Sequence, residues 1–485
     1  MNDNNMSKET MLLITVFVPT LGAFLLPFAA QFSCRLRNWL GFCMVLTSLV
    51  FSLALVGPVM SGETVTYARA LPLGFNLVFH ADGLAVFMAA VSSLVSSIIV
   101  LYSMGYITHY ENQNEYYLMV VLFLGAMMGL VFSGNLILLY LFWEITAVAS
   151  WRLIGFFREK EHVVRADKAF LVTVFGALAM LLGFIIVFHQ TGSFDLQVIK
   201  AALGSRPISN WAVVLILLGI LSKSATLPFH TWLPDAGVAP SPVTALLHAA
   251  VLVKIGVYVF ARLFIVTFVL SQGWSTTVMV IAAVSALVSA GAALLETDLK
   301  RIIAYSTVSQ IGFIFLGFAA NNQIGAAGAL LYILMHGLAK GGLFLCAGIV
   351  EQNTGTKDIR QMGGLIRKMP VTAVAFLFCA FSVMGTPPFG GFFSKYMVIS
   401  SAVQSGQMWI ALTFVIGACL TILYLFRVFN RVFMGEGPSQ AAEGSPVMVA
   451  CVAVLGMLSL ASGIFVTLPS ALAQTAARQM LGLLK

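Results

Sequence analysis

Seven ionisable side chains lie inside stretches of sequence that are otherwise apolar: Glu144, Lys223, His248, Lys254, His336, Lys340 and Lys395. Their chemistry is proton transfer. An amine in hydrocarbon gives up its proton more readily than one in water, and an approaching carboxylate reverses the preference. A swing of about three pKa units is worth about 4 kcal/mol, against about 2.3 kcal/mol to move one charge across 100 mV. Lysine suits such a relay and arginine, which stays charged, does not. Glu144 stands in Tyr140-Leu-Phe-Trp-Glu-Ile-Thr, and Lys223 lies about a turn before a proline break. His336 and Lys340 are four apart and share a helix face. Asp82, Asp235 and Asp298 fall nearer segment ends. Blander roles compete: a Glu144–Lys223 structural ion pair, a Lys395 that snorkels to the interface, histidines serving as hydrogen-bonded core residues. Arg262 and Arg427 read better as snorkelling or loop-contact residues. A charge at the bilayer centre costs about 2.5–3.5 kcal/mol on insertion scales, and its recurrence along the chain favours the relay.

The elements that must carry these residues are membrane-spanning helices. The chain has 485 residues, 60% hydrophobic and 9% charged, too few charges to coat a soluble fold. Apolar runs long enough to cross about 30 Å recur from end to end. They are long and uniform rather than short and alternating, so helices are expected and a barrel is not. Hydropathy places about fourteen spans at 11–30, 39–60, 83–103, 116–132, 134–157, 168–188, 210–226, 241–268, 276–294, 301–320, 325–350, 371–402, 408–433 and 446–468. The first span is read as a helix rather than a cleaved leader. Loops after odd-numbered spans hold about twice the Lys and Arg of the others, which predicts both termini outside.

Two spans are interrupted. Pro228 and Pro234 break the seventh; Pro387 and Pro388 break the twelfth. Proline removes a backbone donor, and such breaks persist at membrane depth only in protein or beside a wet cavity. They lie five helices apart, and an odd unit repeated must enter the membrane inverted, the pattern of transporters with a midplane path. The expected fold is an all-α polytopic membrane protein with inverted five-helix repeats, helices 4–8 and 9–13. The expected divisions are 1–110, 111–270, 271–435 and 436–485.

The formal charge of +8 comes from scattered loop residues, with no basic arm for nucleic acid. Six cysteines, Cys34, Cys43, Cys346, Cys379, Cys419 and Cys451, form no CxxC pair and read as small hydrophobes. No metal site and no cofactor are expected in this chain.

Three stretches carry a resemblance: Lys223-Ser-Ala-Thr-Leu-Pro-Phe-His-Thr-Trp-Leu-Pro-Asp-Ala, Thr297-Asp-Leu-Lys-Arg-Ile-Ile-Ala-Tyr-Ser-Thr-Val-Ser-Gln-Ile-Gly, and Gly385-Thr-Pro-Pro-Phe-Gly-Gly-Phe-Phe-Ser-Lys395. With Trp143-Glu144 and Asp82-Gly-Leu, they resemble the antiporter-like subunits of respiratory complex I. They are equally similar to the large subunits of multisubunit Na+/H+ antiporters and of membrane-bound, energy-converting hydrogenases. The resemblance covers about residues 70–435. It implies a proton relay: Glu144 paired with Lys223, Lys254 and His248 as central link, His336 and Lys340 as the next pair, Lys395 as exit. It implies a bacterial or archaeal cell (inner) membrane location, other membrane subunits as partners, and soluble redox subunits, with protons moved and Na+ as the alternative ion. The foremost expectation is a proton-translocating subunit of a redox-driven complex. The alternatives are a Na+/H+ antiporter subunit, the membrane half of an inorganic-carbon uptake system, and an inactive scaffold. Trp151-Arg152 departs from the family's small and apolar run, so Arg152 either tunes Glu144, guards the cytoplasmic side or snorkels. The long lateral helix of one complex I subunit is not expected after span fourteen.

Overall fold

The computed structural model describes residues 6–70, 72, 76–436 and 441–483. Among them, twelve helices are long and apolar enough to cross a membrane. These are α1 (Lys8–Phe32), α2 (Cys34–Met60), α3 (Gly83–His109), α4 (Gln113–Phe132), α5 (Leu136–Ile154), α6 (Lys160–Thr191), α8 (Ser241–Thr267), α9 (Gln272–Leu295), α10 (Leu299–Ala319), α11 (Gln323–Thr354), α13 (Met408–Val432) and α14 (Pro446–Ile464). The two spans that fall short are the interrupted ones. Helix α7 (Asn210–Lys223) and the first half of α12 (Pro370–Met384) have 14 and 15 residues. At 1.5 Å per residue neither alone crosses about 30 Å of hydrocarbon. The second half of α12, Gly390–Gln404, resumes after the break.

Hydropathy alone misplaced some ends. Helix α6 begins at Lys160, not near 168, because Lys160-Glu161-His162 and Arg165 continue the helix past the apolar run, with Arg165 paired to Glu161 one turn away. Further elements lie outside the expected spans. An antiparallel hairpin, β1 (Val65–Ala70) with β2 (Asn76–Ala81), precedes α3. A helix α15 (Thr467–Met480) follows α14, and its Gln479 accepts the Gly83 N–H at 2.7 Å.

Helices α3, α4, α8, α10 and α11 are the innermost, while α2, α13 and α14 are the least buried. Helix α11 carries Gly325, Gly328, Gly337, Gly341, Gly342 and Gly348, and small residues let helix backbones approach closely where lipid gives no hydrophobic drive.

At each break backbone groups find side-chain partners. The Trp232 indole donates to Ser222 O at 3.0 Å, and the Leu227 N–H donates to Ser285 Oγ at 3.1 Å. At the second break Lys395 Nζ donates to Val383 O at 2.7 Å. Gly391 reopens α12 where a β-carbon would collide with the Ser382 carbonyl, so no larger residue fits.

Candidate functional site: a buried line of amines

Helix α8 is not regular. It is π-helical over Leu246–Ala250 and again over Ala261–Thr267. Such turns insert an extra residue and re-aim side chains. His248 sits on the first turn and Arg262 on the second. His248 is fully buried, its ring centroid 4.4 Å from that of Phe344, and neither ring nitrogen has a hydrogen-bond partner among the described residues. Lys254, two turns on, is also fully buried with an unpartnered Nζ. Its amine lies against Gly337 of α11, 2.6 Å from where a β-carbon would stand.

Helix α11 presents Tyr332, His336 and Lys340 at four-residue spacing. His336 is 1% exposed, with both ring nitrogens unpartnered. Lys340, fully buried, donates to Ile303 O at 3.0 Å and to Ser306 Oγ at 2.6 Å. Lys395 is 4% exposed and lies over the rings of Phe313 and Tyr332, at 4.5 and 5.7 Å from their centroids. It therefore does not snorkel.

At the other end Lys223 closes α7. It is fully buried, donates to Trp143 O at 3.2 Å and lies 5.2 Å over the Trp143 ring. Glu144 differs from the amines. It falls in the stripe that includes the exposed Leu141 and Val148, so it is only partly covered by this chain. Its Oε1 has no partner, and no ion pair among the described residues includes it. The expected Glu144–Lys223 contact is thus open here, the two joined through the backbone and ring of Trp143.

Arg152 does not face Glu144. It pairs with Glu115 at 2.5 Å, as does Arg158. Arg262 is 5% exposed and holds Asp82 through two nitrogens at 2.5 and 2.7 Å, with Tyr258 donated to at 2.9 Å. This is a buried contact rather than snorkelling. Arg427 donates to the carbonyls of Leu294 and Glu296, the loop contact expected of it. Asp235 binds Lys168 and Arg301, each at 2.7 Å, and Asp298 caps α10. Of the cysteines, Cys346, Cys379 and Cys451 are buried and Cys34, Cys43 and Cys419 exposed, none in a disulfide.

Sequence reasoning passed over the polar side chains between Lys340 and Lys395. Ser306 and Gln310 on α10, Tyr332 on α11, and Thr421 and Tyr424 on α13 are all buried and hydrogen-bonded together. A glutamine inside an apolar helix was the available signal.

Amines and imidazoles buried inside an apolar helical protein, beside two broken helices, define a polytopic membrane protein with a titratable core. The comparisons with known proteins give the family. The transmembrane model of the NADH:quinone oxidoreductase/Mrp antiporter family matches residues 133–421, and that of the N-terminus of complex I chain 5 matches 69–117. The chain belongs to this family. It is 35% identical over 491 aligned residues to "Na(+)/H(+) antiporter subunit A1" of Staphylococcus saprophyticus and 34% identical to that of Staphylococcus aureus. Each alignment covers 94% of this chain but 61% of the relative, so the chain spans about three fifths of those proteins. Its fold matches a chain of the Mrp complex from Dietzia sp. DQ12-45-1b with a TM-score of 0.91 at 24% identity, covering 98% of both. It matches a chain of an archaeal membrane-bound sulfane sulfur reductase with a TM-score of 0.89 at 23% identity, again covering 98% of both.

Proposed function

We propose that this chain is the proton-conducting membrane subunit of a multisubunit cation/proton antiporter. Protons would move through Lys223, Lys254, His248, His336, Lys340 and Lys395, with Glu144 tuning the first amine. One observation carries the reading: buried amines and imidazoles follow one another across α7, α8, α11 and α12, and those on α8 and α11 include nitrogens with no partner among the described residues. A relay needs such uncommitted acceptors, whereas a structural polar group is nearly always paired. The antiporter assignment draws support from the names of the relatives at 34–35% identity. The reading includes inverted repeats at 111–270 and 271–435, both termini outside a bacterial or archaeal cell membrane, and other membrane subunits as neighbours. The partly exposed Glu144 is consistent with a neighbour at that face.

A redox-driven complex is the second reading, favoured by the fold shared with the sulfane sulfur reductase chain. It would bring soluble redox subunits, since no cofactor is expected here. Reconstituting the complex separates the two: a Na+ gradient that drives proton movement without an electron donor supports the antiporter, and strict dependence on electron flow overturns it. The relay itself is tested by Lys223→Ala, expected to abolish coupled proton movement while the chain remains in the membrane. Wild-type movement in that variant would refute it.

A further inference from the structure

From Lys340 a continuous set of hydrogen bonds runs to Tyr332, whose ring lies under Lys395, and one of its links is a carboxamide that cannot titrate. Lys340 Nζ lies 2.6 Å from Ser306 Oγ, which lies 2.7 Å from the Tyr424 hydroxyl. The Gln310 side chain comes next. Its Nε2 donates to Thr421 Oγ1 at 3.2 Å and to the Tyr424 hydroxyl at 3.4 Å, and its Oε1 accepts from the Tyr332 hydroxyl at 2.5 Å. The Tyr332 ring is the one on which Lys395 sits.

The orientation of the amide follows from its neighbours. The Thr421 hydroxyl already donates to Gly417 O at 2.8 Å, so toward Gln310 it can only accept. The Gln310 nitrogen must face it, and the oxygen must face Tyr332. Donors then point one way, from Tyr332 through Gln310 and Tyr424 to Ser306, and Ser306 can donate into Lys340 when that amine is neutral. When Lys340 is an ammonium it donates instead, and Ser306 loses its acceptor. Reversing Ser306 and then Tyr424 sets a hydroxyl hydrogen against the Gln310 N–H, so the reversal goes further only if the amide turns over and the Thr421 hydroxyl leaves Gly417 O to donate to the amide oxygen. A carboxamide donates and accepts at once without gaining or losing a proton.

We propose that Gln310, bridging Tyr424 and Tyr332 between Lys340 and Lys395, is a positioning residue that transmits hydrogen-bond direction while blocking proton passage. It would report the charge of Lys340 to the neighbourhood of Lys395 without letting the two amines exchange protons along this path. No bond is made or broken; only hydroxyl and amide orientations change. The inference rests on the relay reading above. The titratable groups that face the bridge are Lys340, His336 and Tyr332 from α11, Lys395 from α12 and Tyr424 from α13.

The test uses the whole complex in closed membrane vesicles. Gln310→Glu keeps the shape and supplies a group that does titrate, and it should raise passive proton conductance above wild type. Tyr332→Phe keeps the ring under Lys395 and removes only the donor to Gln310. It should lower coupled transport about tenfold, the scale of one buried hydrogen bond, without adding a leak. A Gln310→Glu complex no leakier than wild type overturns the proposal, as does wild-type transport in Tyr332→Phe. Lys340→Met separates this inference from the relay. If that variant is inactive while the Gln310 and Tyr332 variants behave as wild type, only the bridge is wrong. If Lys340→Met itself transports normally, the relay is wrong as well.

Discussion

Adding one methyl group at Gly337 should silence transport and leave the fold nearly intact. A β-carbon at this position would stand 2.6 Å from Lys254 Nζ, 3.3 Å from Ala249 O and 3.4 Å from Val95 Cγ2. The last two approaches are tight but tolerable. The first is not, and non-bonded heavy atoms settle at about 3.5 Å, so the amine must withdraw by about 0.9 Å. Overpacking a rigid core costs about 1–3 kcal/mol. Here the atom that yields ends a flexible four-carbon stem, so the stability loss should lie at about the low end, 1 kcal/mol. Function is less forgiving: donors and acceptors must approach within about 2.6–3.2 Å for proton transfer, and a misplacement of about 1 Å can cost about a hundredfold. Gly337→Ala should therefore reach the membrane in normal amount, melt within a few degrees of wild type and lose ten- to a hundredfold of coupled proton movement, read with a pH-sensitive dye in inverted vesicles. Gly341→Ala is the control. Its nearest neighbours would be Val95 Cγ1 at 3.4 Å and Leu455 Cδ1 at 3.6 Å, with no amine among them. Transport by Gly337→Ala equal to that of Gly341→Ala would mean that the position of Lys254 does not matter.

Other substitutions probe the charges outside the line. Asp82→Asn strands the buried Arg262 guanidinium and should destabilise the chain by about 3–5 kcal/mol, seen as a lower melting temperature; Asp82→Asn with Arg262→Met should recover much of the loss, and a single variant as heat-stable as wild type would contradict the pairing. Arg152→Ala breaks a half-exposed pair with Glu115 and should cost less than about 1 kcal/mol with transport unchanged, whereas a transport defect would restore a link to Glu144. Asp235, ending the short helical turn Trp232–Asp235, and Glu296, in the loop before α10, lie outside the spans, and burial pushes their carboxyls up. Hydrogen bonds from Lys168 and Arg301 to Asp235, and from Arg301 to Glu296, outweigh this and hold both below the usual carboxylate range. Groups depressed in the folded state stabilise it above their unfolded pKa, about 4, and lose that contribution as pH falls through the folded value. Thermal stability should then be flat from neutral pH down to about 5 and fall below about 4, a fall that Arg301→Leu should shrink; an equal fall in that variant would exclude this cluster as the cause.

Much of this arrangement was legible in the residues. The long apolar runs fixed the helices, and prolines at 228, 234, 387 and 388 located both breaks. Lysines inside those runs marked the line, because hydrocarbon makes a charge expensive enough to notice. The π-helical turns of α8 were not legible, since a one-residue insertion leaves composition and hydropathy unchanged. The paired strands Val65–Ala70 and Asn76–Ala81 were not legible, because each is too short to register against the long apolar runs. Arg262 was read as snorkelling or as a loop contact; the contact is with the helix-capping Asp82, and sequence spacing gives no sign that this residue, 180 positions away, lies beside it. Glu144 shows a different limit. Periodicity places it mid-helix, but which way that face looks depends on neighbours elsewhere in the chain and beyond it.

Three of the lysines are tethered to main-chain oxygens: Lys223 to Trp143, Lys340 to Ile303 and Lys395 to Val383. Nitrogen keeps hydrogens to donate whether it bears three or two. A tether of this kind holds through a full charging cycle, so the scaffold need not shift when the load departs. Among the described residues Lys254 has no such mooring, which makes it the one lysine of the four whose place can change with its charge.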